Sequence, residues 1–193
     1  MADVAAGSVC VFCGSRDGDD PAFAEAAEAL GRMLAESGLR LVYGAGDVGL
    51  MGRLARAAEA AGGETFGVIP VHLLAREAGR RDLSRLVITE NMHERKKVMF
   101  MNADAIVTLP GGAGSLDELF EVLTWRQLGL HEKPIYLLNI NGYWDDLLEM
   151  IARMIGRGFA TPELRRYICV ITSLPELAAR LERDLSSARA RAE

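Results

Sequence analysis

Cysteine and histidine are scarce in this chain, with three of each in 193 residues. An odd, sparse set of cysteines speaks against a disulfide framework and fits a reducing, cytoplasmic setting. His72, His93 and His131 have no metal-ligand spacing to one another or to the cysteines, so no zinc or iron site is expected. Positive charge is not in excess: a net charge of −5 and a pI near 5.3 argue against a general nucleic-acid or membrane surface. No apolar run approaches the ~20 residues of a membrane span. The stretch 1–8 lacks the basic lead and long apolar segment of a signal peptide. A G-x-S-x-G elbow, a Walker lysine and a triad-like arrangement are also missing. No internal repeat, low-complexity block or linker interrupts the chain.

What is present is an abundance of apolar residues, half of the total. A chain of this length fits one domain, residues 1–193, burying roughly 70% of its unfolded surface. Seven short apolar runs are strand candidates: 8–13, 39–43, 65–69, 85–89, 105–109, 134–139 and 168–172. Helical patterns alternate with them over 21–37, 50–61, 92–102, 116–128, 143–155 and 175–188. Val, Ile and Leu fill the strands with little alternation, which suits strands covered on both faces. The order predicts an α/β fold: a Rossmann-like, doubly wound sheet of about seven mainly parallel strands with helices on both faces. Ligands of such sheets bind outside the carboxyl ends of the strands. The tail 186–193, rich in Ala and Arg, reads as a fraying end.

The most informative stretch is Leu109-Pro110-Gly111-Gly112-Ala113-Gly114-Ser115-Leu116-Asp117-Glu118. An apolar strand runs into a glycine-rich turn, which opens a helix carrying carboxylates. Glycines let backbone approach an anion closely, and the free N–H groups of a helix start point at it. Asp117 and Glu118 would repel a phosphate they faced, so at least one is expected to face another part of the ligand. The pattern reads as a nucleotide site with phosphate on the loop and a glutamate at the sugar. Ser115-x-x-Glu118 is also a formal capping box, in which Glu118 would merely satisfy helix-start N–H groups. Both readings of Glu118 stand at this level.

Three other segments are ambiguous. Gly44-Ala45-Gly46-Asp47-Val48-Gly49 is a literal G-x-G-x-x-G between a strand and a helix. A dinucleotide fold needs an acidic residue at the end of the next strand, and that strand ends Gly67-Val68-Ile69-Pro70. The glycines are therefore read as a tight turn that also lines the pocket. Cys10 and Cys13 form CxxC, but positions i and i+3 of a strand point to opposite faces, so core packing is expected. In Glu90-Asn91-Met92-His93-Glu94-Arg95-Lys96-Lys97, Asn91 and Glu94 resemble an N-terminal capping pair. Three cations then occupy the opening turns, where the helix dipole disfavours each by about 0.3–1 kcal/mol. Either an anion compensates them or they form a solvated basic patch.

Taken together, Met92-His93-Glu94-Arg95-Lys96 and Pro110-Gly111-Gly112-x-Gly114-Ser115-x-x-Glu118 resemble the paired signature of the LOG ("Lonely guy") family. Its members are cytokinin riboside 5′-monophosphate phosphoribohydrolases, long mislabelled as lysine decarboxylases. This chain has no lysine in a recognisable pyridoxal-phosphate site. The similarity runs over nearly the whole chain, from Val9-Cys10-Val11-Phe12-Cys13-Gly14-Ser15 through Leu123-Thr124-Trp125 to Lys133-Pro134.

The resemblance implies that Arg95 and Glu118 are the catalytic pair, and that Gly111, Gly112, Ala113, Gly114 and Ser115 hold a 5′-phosphate with help from Thr124. Lys96 and Glu77 match substrate-contacting positions, while Gly14, Ser15, Gly44, Gly46 and Met92 would line the pocket. On this reading Arg95 orients Glu118 or binds substrate, lowering the pKa of the carboxylate and holding it ionised. No metal or cofactor is implied. The partner is a small nucleoside monophosphate, AMP or an N6-substituted analogue, and a homodimer is expected, with assembly beyond it open. Ser115 stands where threonine is usual, Ala45 where glycine is, and Ala113 where tyrosine is common. A second class shares the loop: molybdenum-cofactor carrier proteins, which bind without hydrolysing.

Overall fold

The computed structural model describes residues 7–74 and 84–189. Seven strands form one sheet: β1 (Gly7–Phe12), β2 (Leu39–Tyr43), β3 (Thr65–Pro70), β4 (Arg85–Thr89), β5 (Ala105–Thr108), β6 (Ile135–Leu138) and β7 (Ile168–Ile171). Every pairing is parallel, in the order β4-β3-β2-β1-β5-β6-β7. The chain winds outward from β1 to β4, then returns to the other side of β1 with β5. A crevice therefore opens between the carboxyl ends of β1 and β5, the switch point at which open α/β sheets bind ligands.

The helices are α1 (Pro21–Glu36), α2 (Gly49–Ala60), α3 (Val71–Leu74), α4 (Met92–Met101), α5 (Ala113–Gln127), α6 (Asp145–Gly156), α7 (Glu163–Arg166) and α8 (Leu174–Arg189). Alternation along β1 divides the core between them. Val9, Val11 and Cys13 face α1, α2 and α8 through Leu30, Leu54 and Leu181. Cys10 and Phe12 face α4, α5 and α6 through Met99, Leu119 and Ile151. The cysteines of the CxxC thus lie on opposite faces of the sheet, both buried with free thiols, as strand geometry predicts.

Helix starts explain where the elements begin. Asp20 caps α1 by accepting from the Ala22 N–H, and Pro21 takes the first helical position, where its missing N–H is harmless. Asn91 caps α4 by accepting from the Glu94 N–H at 2.9 Å, as its sequence predicts. In α5 the expectation fails. The helix starts at Ala113, three residues before the predicted 116, with Gly112 as the N-cap and no side chain capping it. Ser115 lies inside the first turn and is buried, so the capping-box reading of Ser115 and Glu118 is overturned.

Other boundaries shift for local reasons. α6 begins two residues later than predicted, because Asn139 holds the Trp144 N–H at 2.7 Å and a 3₁₀ turn (Ile140–Gly142) intervenes. The four-residue helices α3 and α7 are too short to show a period of 3.6. Helix α8 runs as far as Arg189, into the tail that the sequence reads as a fraying end.

Candidate active site

A cavity of about 780 Å³ occupies the crevice at the carboxyl ends of the strands. The glycine loop after β5 forms one wall, with Gly111, Gly112, Ala113, Gly114 and Ser115 all lining it. Gly14 and Ser15 form the adjoining wall, and the Gly14 N–H donates to the Pro110 carbonyl at 3.0 Å. This bond ties the ends of β1 and β5 together across the switch point. The loop needs its glycines for space: a β-carbon on Gly111 would sit 2.1 Å from the Ser115 hydroxyl oxygen. With no capping side chain, the first N–H groups of α5 remain available to an anion.

Glu118 stands one turn further along α5 and also lines the cavity. Burial pushes its carboxyl up to about 7; Arg95 and Lys96 pull it down, while Asp117 and Glu121 push it up again. Arg95 acts in the expected direction but does not keep the carboxylate in its ordinary acidic range. Loss of water outweighs the single guanidinium, which makes no ion pair with Glu118 within 4.0 Å among the described residues. A carboxyl that titrates near neutrality in a cleft is suited to gain or lose a proton during reaction.

Arg95 lines the cavity from the end of the first turn of α4 and is only 6% exposed. Its Nη2 donates to the Gly44 carbonyl at 3.0 Å, and Nη1 meets the Met92 sulfur at 3.8 Å. Its buried Nε has no hydrogen-bond partner among the described residues. A buried guanidinium with donors unspent is ready for an anionic or hydroxyl-rich ligand.

Two residues assigned to the substrate by resemblance, Lys96 and Thr124, are absent from the cavity lining. Lys96, one residue after Arg95, is rotated onto the neighbouring helix and pairs with Asp117 at 2.9 Å and Glu121 at 3.3 Å. These carboxylates outweigh its burial and hold its ammonium above the usual range. The Thr124 hydroxyl donates to the Phe120 carbonyl at 2.7 Å and faces a separate shallow hollow beside Trp125. Gly46, expected to line the pocket, is buried and absent from the cavity lining. Glu77 lies outside the described residues.

The cavity also contains residues that the sequence did not single out. Met51, Leu73 and Met99 join Met92 as apolar lining, while Phe23 and Tyr143 close the side nearest α1. Met51 follows directly from the G-x-G-x-x-G turn and could have been found there. Tyr143 comes from the far side of the switch point, and no spacing links it to the loop. Cys13 reaches the cavity too, but burial raises its thiol well above the usual range, which leaves it an inert packing group. Among the described residues no cluster of His, Cys, Asp or Glu could hold a metal. Nor is any helix among them long and apolar enough to cross a membrane.

Comparison with known proteins finds relatives by sequence and by fold. A family model described as "Possible lysine decarboxylase" matches residues 51–181. Cytokinin riboside 5′-monophosphate phosphoribohydrolase LOG7 of Arabidopsis thaliana is 45% identical over 174 residues, which cover 90% of this chain and 80% of the relative. The enzyme of that name, LOG, from Oryza sativa subsp. japonica is 42% identical over 174 residues, 90% of this chain and 72% of its own. Among solved structures, the molybdenum cofactor carrier protein of Chlamydomonas reinhardtii superposes with a TM-score of 0.72 at 18% identity, covering 93% of this chain and 98% of its own. The molybdenum cofactor binding protein of Rippkaea orientalis gives 0.68 at 22% identity, with 93% and 96% covered. At such identities the carrier proteins share the fold alone. The sequence relatives decide the family: the chain belongs to the LOG family of cytokinin riboside 5′-monophosphate phosphoribohydrolases.

Proposed function

We propose that this chain hydrolyses the N-glycosidic bond of N6-substituted adenosine 5′-monophosphates, releasing free base and ribose 5-phosphate. One observation carries the reading: Glu118 and the spare donors of Arg95 share a cavity with the uncapped start of α5. The phosphate sits on the loop from Gly111 to Ser115, which sets the sugar near Glu118. As the bond from C1′ to the base nitrogen breaks, its electron pair leaves with the base and positive charge grows on the ribose. Ionised Glu118 stabilises that charge and takes a proton from the water that attacks C1′. The base nitrogen gains a proton as it departs, so nucleotide plus water gives base plus ribose 5-phosphate. Arg95, permanently protonated, binds ligand oxygens and fixes the orientation of the reacting sugar.

The apolar lining from Met51, Leu73, Met92 and Met99 favours a base carrying an apolar N6 group. Thioether side chains are adaptable, and matched apolar bulk supplies about 1–3 kcal/mol of discrimination over plain AMP. Met101, Leu128 and Leu130, each at least 67% exposed, extend from α4 and the end of α5 and supply an apolar face for a second copy of the chain. Light scattering of the purified protein checks that dimer. Three free thiols with no disulfide suit a reducing compartment.

Incubation with isopentenyl-AMP and AMP, with base release followed by chromatography, tests the function. Release from the isopentenyl substrate, faster than from AMP and lost in Glu118→Gln, is the expected result. A fully active Glu118→Gln would remove the assigned chemistry, and release from neither nucleotide would point to a carrier.

A further inference from the structure

Tyr143 makes a contact that the reaction scheme leaves unused. Its hydroxyl donates to the carbonyl of Gly111 at 2.7 Å, reaching the glycine loop from the turn that follows β6. Tyr143 is 42% exposed, so burial alone does not explain its placement. It is held edge-on against Phe23, with centroids 5.3 Å apart, and against Trp144 at 4.7 Å.

The turn that presents Tyr143 is itself pinned. Asn141 and Gly142 take left-handed backbone angles, with φ of 50° and 75°. The Asn141 amide donates to Asp20 at 2.7 Å, tying the turn to the cap of α1. Asn139 accepts the Trp144 N–H and donates to Asp145, each at 2.7 Å. The hydroxyl is therefore offered to Gly111 from a rigid support.

Gly111 and Gly112 form the most pliable peptide of the loop, because neither has a β-carbon to restrict rotation. A trans peptide points its carbonyl and the following N–H in opposite directions. Holding the Gly111 carbonyl thus fixes the direction of the Gly112 N–H, immediately before the first free amides of α5. We propose that Tyr143 is a positioning residue, locking the Gly111–Gly112 peptide in the orientation that binds the substrate phosphate. The inference rests on the phosphate placement given above and adds the residue that preorganises it.

Tyr143→Phe is the test, since it keeps both ring contacts and removes only the hydroxyl. Loss of one hydrogen bond predicts a roughly three- to tenfold rise in KM for the nucleoside monophosphate. Inhibition by inorganic phosphate weakens in proportion, while kcat stays as in the parent and the melting temperature falls by no more than about a few degrees. A generally loosened structure would not separate KM from kcat in this way. Unchanged KM and phosphate inhibition, or a fall in kcat with KM unchanged, overturns the proposal. Should the parent hydrolyse no nucleotide, the functional reading fails separately. Calorimetric titration of parent and variant with inorganic phosphate and ribose 5-phosphate then still decides whether the hydroxyl organises the loop.

Discussion

The guanidinium of Arg95 lies directly over Gly44: Nη2 donates to the glycine carbonyl at 3.0 Å, and a β-carbon on Gly44 would fall 1.8 Å from that nitrogen. Gly44 is thus required by its neighbour rather than by its own backbone angles, which are not left-handed. Gly44→Ala should fold, because the colliding atom is the end of a side chain that can swing aside. The swing takes Arg95 out of the reacting geometry, and misplacement by about 1 Å costs on the order of 10²-fold in rate. Steady-state kinetics beside a thermal melt checks this: kcat/KM falls by about that factor while the melting temperature holds.

Glu118 stores instability that the fold tolerates for the sake of the site. Its folded pKa, about 7, lies above its ordinary 4.5, so the folded chain retains a proton that the unfolded chain releases. Below pH 4.5 the group contributes nothing; between 4.5 and 7 stability falls as pH rises, and above 7 the deficit is constant. Glu118→Gln removes the ionisation. The variant should melt close to the parent at pH 5 and several degrees higher at pH 8, for a difference of about 1–3 kcal/mol. A parent more stable than the variant at pH 8 would show the carboxylate to be favourably held.

Gly31 supports a close crossing of α1 and α2. A β-carbon there would meet the Leu54 carbonyl oxygen at 2.2 Å and the Ala58 nitrogen at 3.0 Å, both backbone atoms that cannot step aside. Alanine is the better helix former by roughly 1 kcal/mol. Overpacking against backbone reverses that gain, and Gly31→Ala should destabilise by about 1–3 kcal/mol, lowering the melting temperature by several degrees. Circular dichroism melts measure it, with turnover at low temperature unchanged because the contact is remote from the cavity.

Which features were legible in the chain depends on how far each one's cause reaches. Most of the strands could be read because they are near-continuous apolar runs, the mark of burial on both faces, whereas the edge strand β4 is only partly buried and is legible from its apolar residues alone. The broken dipole rule at Arg95-Lys96-Lys97 marked the segment but could not sort its residues, of which Lys97 is exposed. Neighbours on a helix diverge by about 100°, so Arg95 enters the cavity while Lys96 turns to α5. Ser115-x-x-Glu118 misled, since it imitates a cap three residues inside a helix that glycine had already started. The proton affinity of Glu118 and the reach of Tyr143 depend on what surrounds them in space, and neither leaves a local pattern.

The divergence of Arg95 and Lys96 gives a further prediction. Lys96 pairs with Asp117 and Glu121, the two carboxylates that flank Glu118 on α5 and push its pKa upward. With ionised Glu118 as the working form, kcat/KM rises with pH and levels off above about 7; a phosphate monoester adds its own limb near pH 6. Lys96→Met removes a cation that favours ionisation and frees both neighbouring charges to oppose it. The upper limb then moves to higher pH, while the plateau rate and the KM measured on that plateau change little. A substrate-contacting lysine would behave otherwise: its loss raises KM at every pH and leaves the limb in place. Kinetics from pH 5 to pH 9 on parent and variant therefore distinguish a lysine that tunes Glu118 from one that binds the nucleotide.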